Sequence, residues 1–206
     1  VRRFVGVIID YLDGCGVKLV VIACNTLTVL GVDTLKGSHA FEIVGMSKGA
    51  QLVLAASCSK KIGVFATEFT ISSGAHKAAI LAADAGADVY PQACPKFVPL
   101  IEGEQFGSAE VMSAVAEYAA PLKAAGIDTL ILSCTHYPFI QKEIESEFGS
   151  EVTVIDPADA TAQDTKLVLA AEGLLRSEGA GSLEVCFTAD VERGARIAGR
   201  MLPQEK

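Results

Sequence analysis

The segment Gly16-Val17-Lys18-Leu19-Val20-Val21-Ile22-Ala23-Cys24-Asn25-Thr26 returns, altered but recognisable, as Gly126-Ile127-Asp128-Thr129-Leu130-Ile131-Leu132-Ser133-Cys134-Thr135-His136. Each copy is a glycine turn, a strand-sized apolar run, a small residue, a cysteine and then polar side chains. A spacing of 110 positions between Cys24 and Cys134 is too long for a solenoid repeat. It suits two similar α/β units, each presenting a cysteine just past the carboxyl end of a strand. That is the edge at which open α/β sheets bind ligands.

The rest of the chain fits this frame. Strands are expected at Val17–Ala23, Glu42–Val44, Lys61–Phe65, Asp88–Tyr90, Thr129–Leu132, Thr153–Ile155 and Leu183–Phe187. Helices are expected at Val5–Leu12, Gly49–Ser57, Ile71–Ala85, Ser108–Ala124, Ile140–Glu147, Ala160–Arg176 and Val191–Met201. Alternation of this kind predicts an α/β fold with parallel sheets. The strands are apolar on both faces, as sheets covered by helices require. The expected organisation is two similar α/β domains, 1–46 with 156–206 and 47–155, with the active site in the cleft between them.

Composition narrows the function. A net charge of -8 without a Lys/Arg run argues against nucleic acid as a partner. No apolar run reaches the length of a membrane span, and Val1-Arg2-Arg3-Phe4 does not open a secretory signal. A cytoplasmic protein is therefore expected. In that compartment its six cysteines, none in a CxxC pair, are reduced thiols.

Cys24 and Cys134 stand apart from the other four. Both sit where a strand ends, followed by groups able to hold a ligand: Asn25 and Thr26 after the first, Thr135, His136 and Tyr137 after the second. Cys15 and Cys58 lie in or beside helices, Cys94 in a turn and Cys186 inside an expected strand; these read as packing or incidental. Zinc held by Cys24, Cys134 and His136 would lack a fourth ligand. A redox pair would favour a local CxxC. A Cys134–His136 nucleophile would leave Cys24 unexplained.

Two opposed thiols have one use that employs both. Inverting a carbon centre without a cofactor needs a base on one face and an acid on the other. A thiol, with an ordinary pKa of about 8.5, can serve as either. Around the pair, Thr67 and Thr70 offer hydroxyls beside the start of a helix, whose amides suit a carboxylate. Capping by Thr70 or Ser72 is the plainer reading of that stretch. His136 is placed to partner a thiol, Glu102 reads as an ordinary exposed acid, and His39 and His76 look incidental. No Walker A, GxGxxG or zinc ligand set is present, so no cofactor and no metal is expected.

Val21-Ile22-Ala23-Cys24-Asn25-Thr26 and Cys134-Thr135-His136-Tyr137-Pro138 resemble the paired motifs of bacterial glutamate racemases. The stretches Ile62–Thr67 with Thr70, and Gln92–Glu102, resemble the same family in order and spacing. The resemblance implies two α/β domains around one site, and conversion of L-glutamate to D-glutamate for peptidoglycan. It implies Cys24 and Cys134 as the acid/base pair, Asn25, Thr26, Thr67, Thr70, Thr135 and His136 as groups around the substrate, and Glu102 as a cleft residue assisting the Cys134/His136 side. A homodimer is compatible with it. An aspartate racemase or related isomerase is the sister alternative, and an inactive fragment that binds an amino acid or a partner is the non-enzymatic one. The family usually opens with an Asp-Ser-Gly strand that has no counterpart here. The expected consequences are an unpaired edge beside the Cys24 strand, a looser first domain and low turnover.

Overall fold

The computed structural model describes residues 2–31, 39–179 and 181–201. Its elements run α1 (Arg2–Gly14), β1 (Leu19–Ile22), α2 (Asn25–Gly31), β2 (Glu42–Gly45), α3 (Ala50–Ala56), β3 (Lys61–Ala66), α4 (Glu68–Ser72) and α5 (Ala75–Ala83). They continue with β4 (Asp88–Ala93), α6 (Phe97–Glu102), α7 (Ala109–Ala125), β5 (Thr129–Leu132), a 3-10 turn (Tyr137–Ile140), α8 (Gln141–Phe148), β6 (Thr153–Ile155), α9 (Ala158–Ala171) and α10 (Val191–Met201). Residues 1–174 form one compact unit and residues 175–206 a second.

All strand pairs are parallel, as expected from their apolar runs. The larger sheet has the order β4-β3-β5-β6. Its central strands are the most apolar: every residue of β5 is buried, as are Ile62 to Ala66 of β3. β3 pairs along its whole length with β4, Lys61 opposite Asp88 through Ala66 opposite Ala93, and on its other edge with β5. Helices cover both faces, so neither strand needs alternation. One face packs Val53, Ile80 and Ala87 against Ile62, Val64 and Ile131. An aromatic cluster adds edge contacts of Phe97 with Phe65, Tyr118 and Tyr137, ring centroids 5.8, 5.2 and 5.1 Å apart.

Local chemistry sets the longest helix. Ser108 caps α7 by accepting the Val111 amide, and Gly126 closes it in the left-handed conformation. Asp128 then accepts the backbone N–H groups of Cys58 and Ser59 at 2.8 and 2.6 Å, pinning the α3–β3 turn to the start of β5.

The smaller sheet pairs β1 with β2, Leu19 opposite Glu42 through Ile22 opposite Gly45. Val20, Ile22 and Ile43 pack under Ile9 of α1 with Phe41. Among the described residues β1 pairs with β2 alone.

The structure corrects several expectations. Leu183–Phe187 is not a strand: it is irregular, with Leu183 and Val185 73% and 45% exposed, and pairs with no other described strand. Of its alternating apolar residues only Phe187 is partly covered, its ring lying against Gly194 of α10, and Cys186 is exposed rather than inside a sheet. The single helix expected over Ile71–Ala85 is two, α4 and α5, broken where Gly74 takes φ 67°. Asn25–Gly31 and Phe97–Glu102, where no element is expected from sequence, are helical. In the second unit, α10 is the one regular element among the described residues, with Arg193 and Arg196 on its surface side.

Candidate active site

Each cysteine sits where its strand hands the chain to a helix. Cys24 follows β1 by two positions, and its carbonyl accepts from both the amide (2.9 Å) and the hydroxyl (2.9 Å) of Thr28 in α2. Cys134 follows β5 by two positions, and its carbonyl accepts the Tyr137 amide at 3.0 Å to open the 3-10 turn. Cys134 is buried and Cys24 half-buried.

The two strand ends are tied together. The Thr135 hydroxyl donates to the carbonyl of Ala23 at 3.3 Å, across 112 positions of sequence. Cys24 is close enough to Cys134 for its charge to disfavour a second thiolate. Burial is the larger influence: it pushes the Cys134 thiol up to about 11, against the pull of backbone N–H groups at His136 and Tyr137. Cys134 is therefore a thiol at neutral pH, poised as an acid. A second buried thiol, Cys94, lies behind it and is pushed up further by desolvation.

His136 stands over the Cys134 sulfur, Nδ1 4.0 Å from Sγ. Its other nitrogen, Nε2, lies 2.8 Å from Oε1 of Glu102 at the end of α6. An ionised carboxylate only accepts, so Nε2 of neutral His136 carries the proton and Nδ1 turns its lone pair to the thiol. Glu102, read from sequence as an ordinary exposed acid, is thus drawn into the site. The family resemblance placed Glu102 on the Cys134/His136 side, whereas its local sequence did not, because the two residues that meet are 34 positions apart.

Thr26, Thr67 and Thr70 form a hydroxyl triangle with oxygen separations of 3.0, 3.2 and 3.0 Å. Thr26 comes from the first turn of α2, the others from the β3–α4 junction. Thr67, not Thr70 or Ser72, is the N-cap of α4: it accepts the Thr70 amide. Capping and the hydroxyl cluster therefore coincide. Asn25 is 3% exposed and its side-chain Nδ2 has no hydrogen-bond partner, as has the buried Ser133 hydroxyl. Buried donors left without a partner are costly and suit a bound ligand. A cavity of about 420 Å³ opens beside Val21, Ala23 and Thr135, walled by Met46 and by Thr161 and Thr165 of α9.

Of the nine residues singled out in sequence, contacts join Cys134, His136 and Glu102 in one group and Thr26, Thr67 and Thr70 in another, and Thr135 reaches the residue before Cys24. Among the described residues no group of three or more His, Cys, Asp or Glu side chains could hold a metal ion. The profile of the Asp/Glu/hydantoin racemases matches residues 7–165.

The chain belongs to the Asp/Glu/hydantoin racemase family.

Within that family it is 38% identical over 176 residues to a glutamate racemase of Lysinibacillus sphaericus, covering 85% of this chain and 66% of the relative. The chain thus spans just under two thirds of that relative's length. It superimposes on glutamate racemase isoform RacE1 of Bacillus anthracis with a TM-score of 0.89 at 30% identity, covering 97% of this chain and 75% of the other. A glutamate racemase of Francisella tularensis, solved in complex with D-glutamate, matches with a TM-score of 0.73 at 29% identity, covering 82% and 63%. These racemases share the α/β architecture of parallel sheets described above. Among the described residues of this family member, no helix is long and apolar enough to cross a membrane.

Proposed function

We propose that this chain carries the site of a cofactor-independent glutamate racemase, in which Cys24 and Cys134 exchange the roles of base and acid on opposite faces of Cα. The observation that carries this reading is the tie between the two cysteine motifs: Thr135 bonds to Ala23, and Cys134 lies within electrostatic reach of Cys24. The site lies between the lobe built on the β1–β2 sheet and the lobe of residues 47–155.

The chemistry follows from the neighbours. A Cys24 thiolate removes the α-proton from one enantiomer, and the Cys134 thiol delivers a proton to the other face. In the reverse direction Cys134 must first lose its proton. His136 Nδ1 takes it, and Glu102 steadies the imidazolium through Nε2. The α-proton is a weak acid, so donors must offset the charge that develops on the substrate. The Thr26–Thr67–Thr70 triangle, with the Asn25 amide beside it, supplies them for a small carboxylate-bearing ligand.

The similar protein solved with D-glutamate supports glutamate as the substrate. D-Glutamate would then serve peptidoglycan assembly in the cytoplasm. Turnover of L-glutamate in heavy water tests the two-base scheme. Solvent deuterium should appear at Cα of the D product; retention of the substrate's own hydrogen in most turnovers would overturn it.

A further inference from the structure

Tyr137 follows His136 directly, yet it is covered completely, so no ligand in the cleft can touch it. A phenol buried this deeply must place its O–H, because an unpartnered hydroxyl is costly inside a protein. The Tyr137 hydroxyl donates to the carbonyl of Cys94 at 3.2 Å. Burial pushes that hydroxyl well above the ordinary range of a phenol. It is therefore a fixed neutral donor and takes no part in proton transfer.

The Cys94 carbonyl has a second partner. It also accepts the Phe97 amide, at 3.3 Å, where α6 begins. The Cys94 amide donates to the carbonyl of Ala66, the last residue of β3, at 2.9 Å. The turn before α6 is thus tied to the larger sheet through one group and to Tyr137 through another. The Tyr137 ring meets Phe97, the first residue of α6, edge-on at 5.1 Å. Through its backbone Tyr137 belongs to the other side: its amide donates to the Cys134 carbonyl at 3.0 Å. Glu102 ends α6, only about 8 Å of helix from Phe97.

We propose that Tyr137 is a positioning residue, a strut from the turn that carries Cys134 and His136 to the start of α6, and that it holds Glu102 against His136. The inference rests on the relay proposed above, in which Glu102 acts through His136 on the Cys134 thiol. Two contacts close the frame. Tyr137 joins the Cys134 turn to one end of α6, and Glu102 joins the other end to Nε2 of His136 at 2.8 Å. Tyr137→Phe keeps a ring against Phe97 but leaves the Cys94 carbonyl with the Phe97 amide alone. The start of α6 is then less firmly held, and a small displacement of its far end parts Glu102 from the imidazole.

Tyr137→Phe in the 206-residue chain, alone and combined with Glu102→Gln, tests this as a double-mutant cycle. The rate is read as solvent deuterium entering Cα of L-glutamate, which registers slow turnover. Tyr137→Phe should slow it about tenfold in the native background and by less than about twofold in the Glu102→Gln background, because the strut then has nothing left to hold. The Tm should fall alike in both backgrounds, since the same hydrogen bond is lost. Equal fold-losses of rate in the two backgrounds overturn the proposal, as does a Tyr137→Phe variant as fast as the native chain. A Glu102→Gln variant as fast as native overturns the relay and the strut with it. The contact is also read without turnover. In the 15N-labelled chain the His136 Nε2 proton should be held against exchange with water and released by Tyr137→Phe. A chain that turns over no glutamate fails the racemase reading, and the strut then stands or falls on this proton. Absence of a held proton in the native chain, or its retention in Tyr137→Phe, overturns the strut.

Discussion

Oε1 of Glu102 lies 2.8 Å from Nε2 of His136, and that contact decides which imidazole nitrogen is left to face the Cys134 sulfur. Glu102→Gln keeps the size of the side chain but can present its amide N–H to Nε2, which turns the ring's lone pair away from the thiol. Glutamate racemisation should slow about 10²-fold. The equilibrium constant between enantiomers is unity, so kcat/KM must fall alike from L- and from D-glutamate. Initial rates in both directions check this; a variant as fast as the native protein would remove Glu102 from the relay.

The thiols themselves are less replaceable. Cys24→Ser and Cys134→Ser should each reduce kcat/KM about 10³-fold, because a hydroxyl is a far weaker acid than a thiol. Alkylation should separate the pair from the bystanders. At pH 7 the exposed Cys15, Cys58 and Cys186 should react with iodoacetamide well before Cys134, which burial holds protonated up to about 11. Peptide mass mapping after timed quenching reads the order.

His76 should make stability fall as the solution is acidified. It is 3% exposed, and neither ring nitrogen has a hydrogen-bond partner. Burial, aided by the charge of Lys48, lowers its pKa from 6.5 to about 4. The folded state thus prefers the neutral ring while the unfolded chain binds a proton below 6.5. The stabilisation is complete above pH 6.5 and is lost as pH falls from there towards 4, on the order of 3 kcal/mol in all. His76→Phe should flatten this part of a urea-unfolding profile. An equally steep profile in the variant would assign the slope elsewhere.

Gly49 should tolerate no side chain. It holds φ 60° at the start of α3, and a Cβ there would come within 2.4 Å of Cδ1 of Ile131. Gly49→Ala combines left-handed strain with crowding against β5 and should cost about 1–3 kcal/mol. Thermal unfolding would show the lowered Tm; an unchanged Tm would mean that Ile131 swings clear without loss.

On the proposed two-thiol scheme, activity should survive EDTA and carbonyl reagents. The lysines that flank the early strands are engaged elsewhere. Lys18 donates to the Leu174 carbonyl, Lys60 meets Asp84 at 2.7 Å and Lys61 donates to the Ala125 carbonyl at 3.3 Å. Loss of racemisation on dialysis, with recovery on adding a metal or pyridoxal phosphate, would contradict this.

The sequence alone determined the parallel α/β architecture and the two cysteine-bearing strand ends. Both rest on local patterns: apolar runs of strand length, and a repeat that puts Cys24 and Cys134 at equivalent places. Every strand expected between Val17 and Ile155 is present, within a few residues at its ends. Contacts between distant segments decided the rest. Glu102 joined His136, Thr135 reached Ala23, and Thr26 met Thr67 and Thr70, all through pairings that leave no mark on local sequence. His76 was indistinguishable from a surface histidine until the chain closed over it. Leu183–Phe187 had a strand's pattern but pairs with no strand among the described residues, and a strand without a ladder cannot satisfy its backbone. Side-chain periodicity is fixed residue by residue, whereas burial and hydrogen-bond partnership exist only once segments far apart in the chain have met.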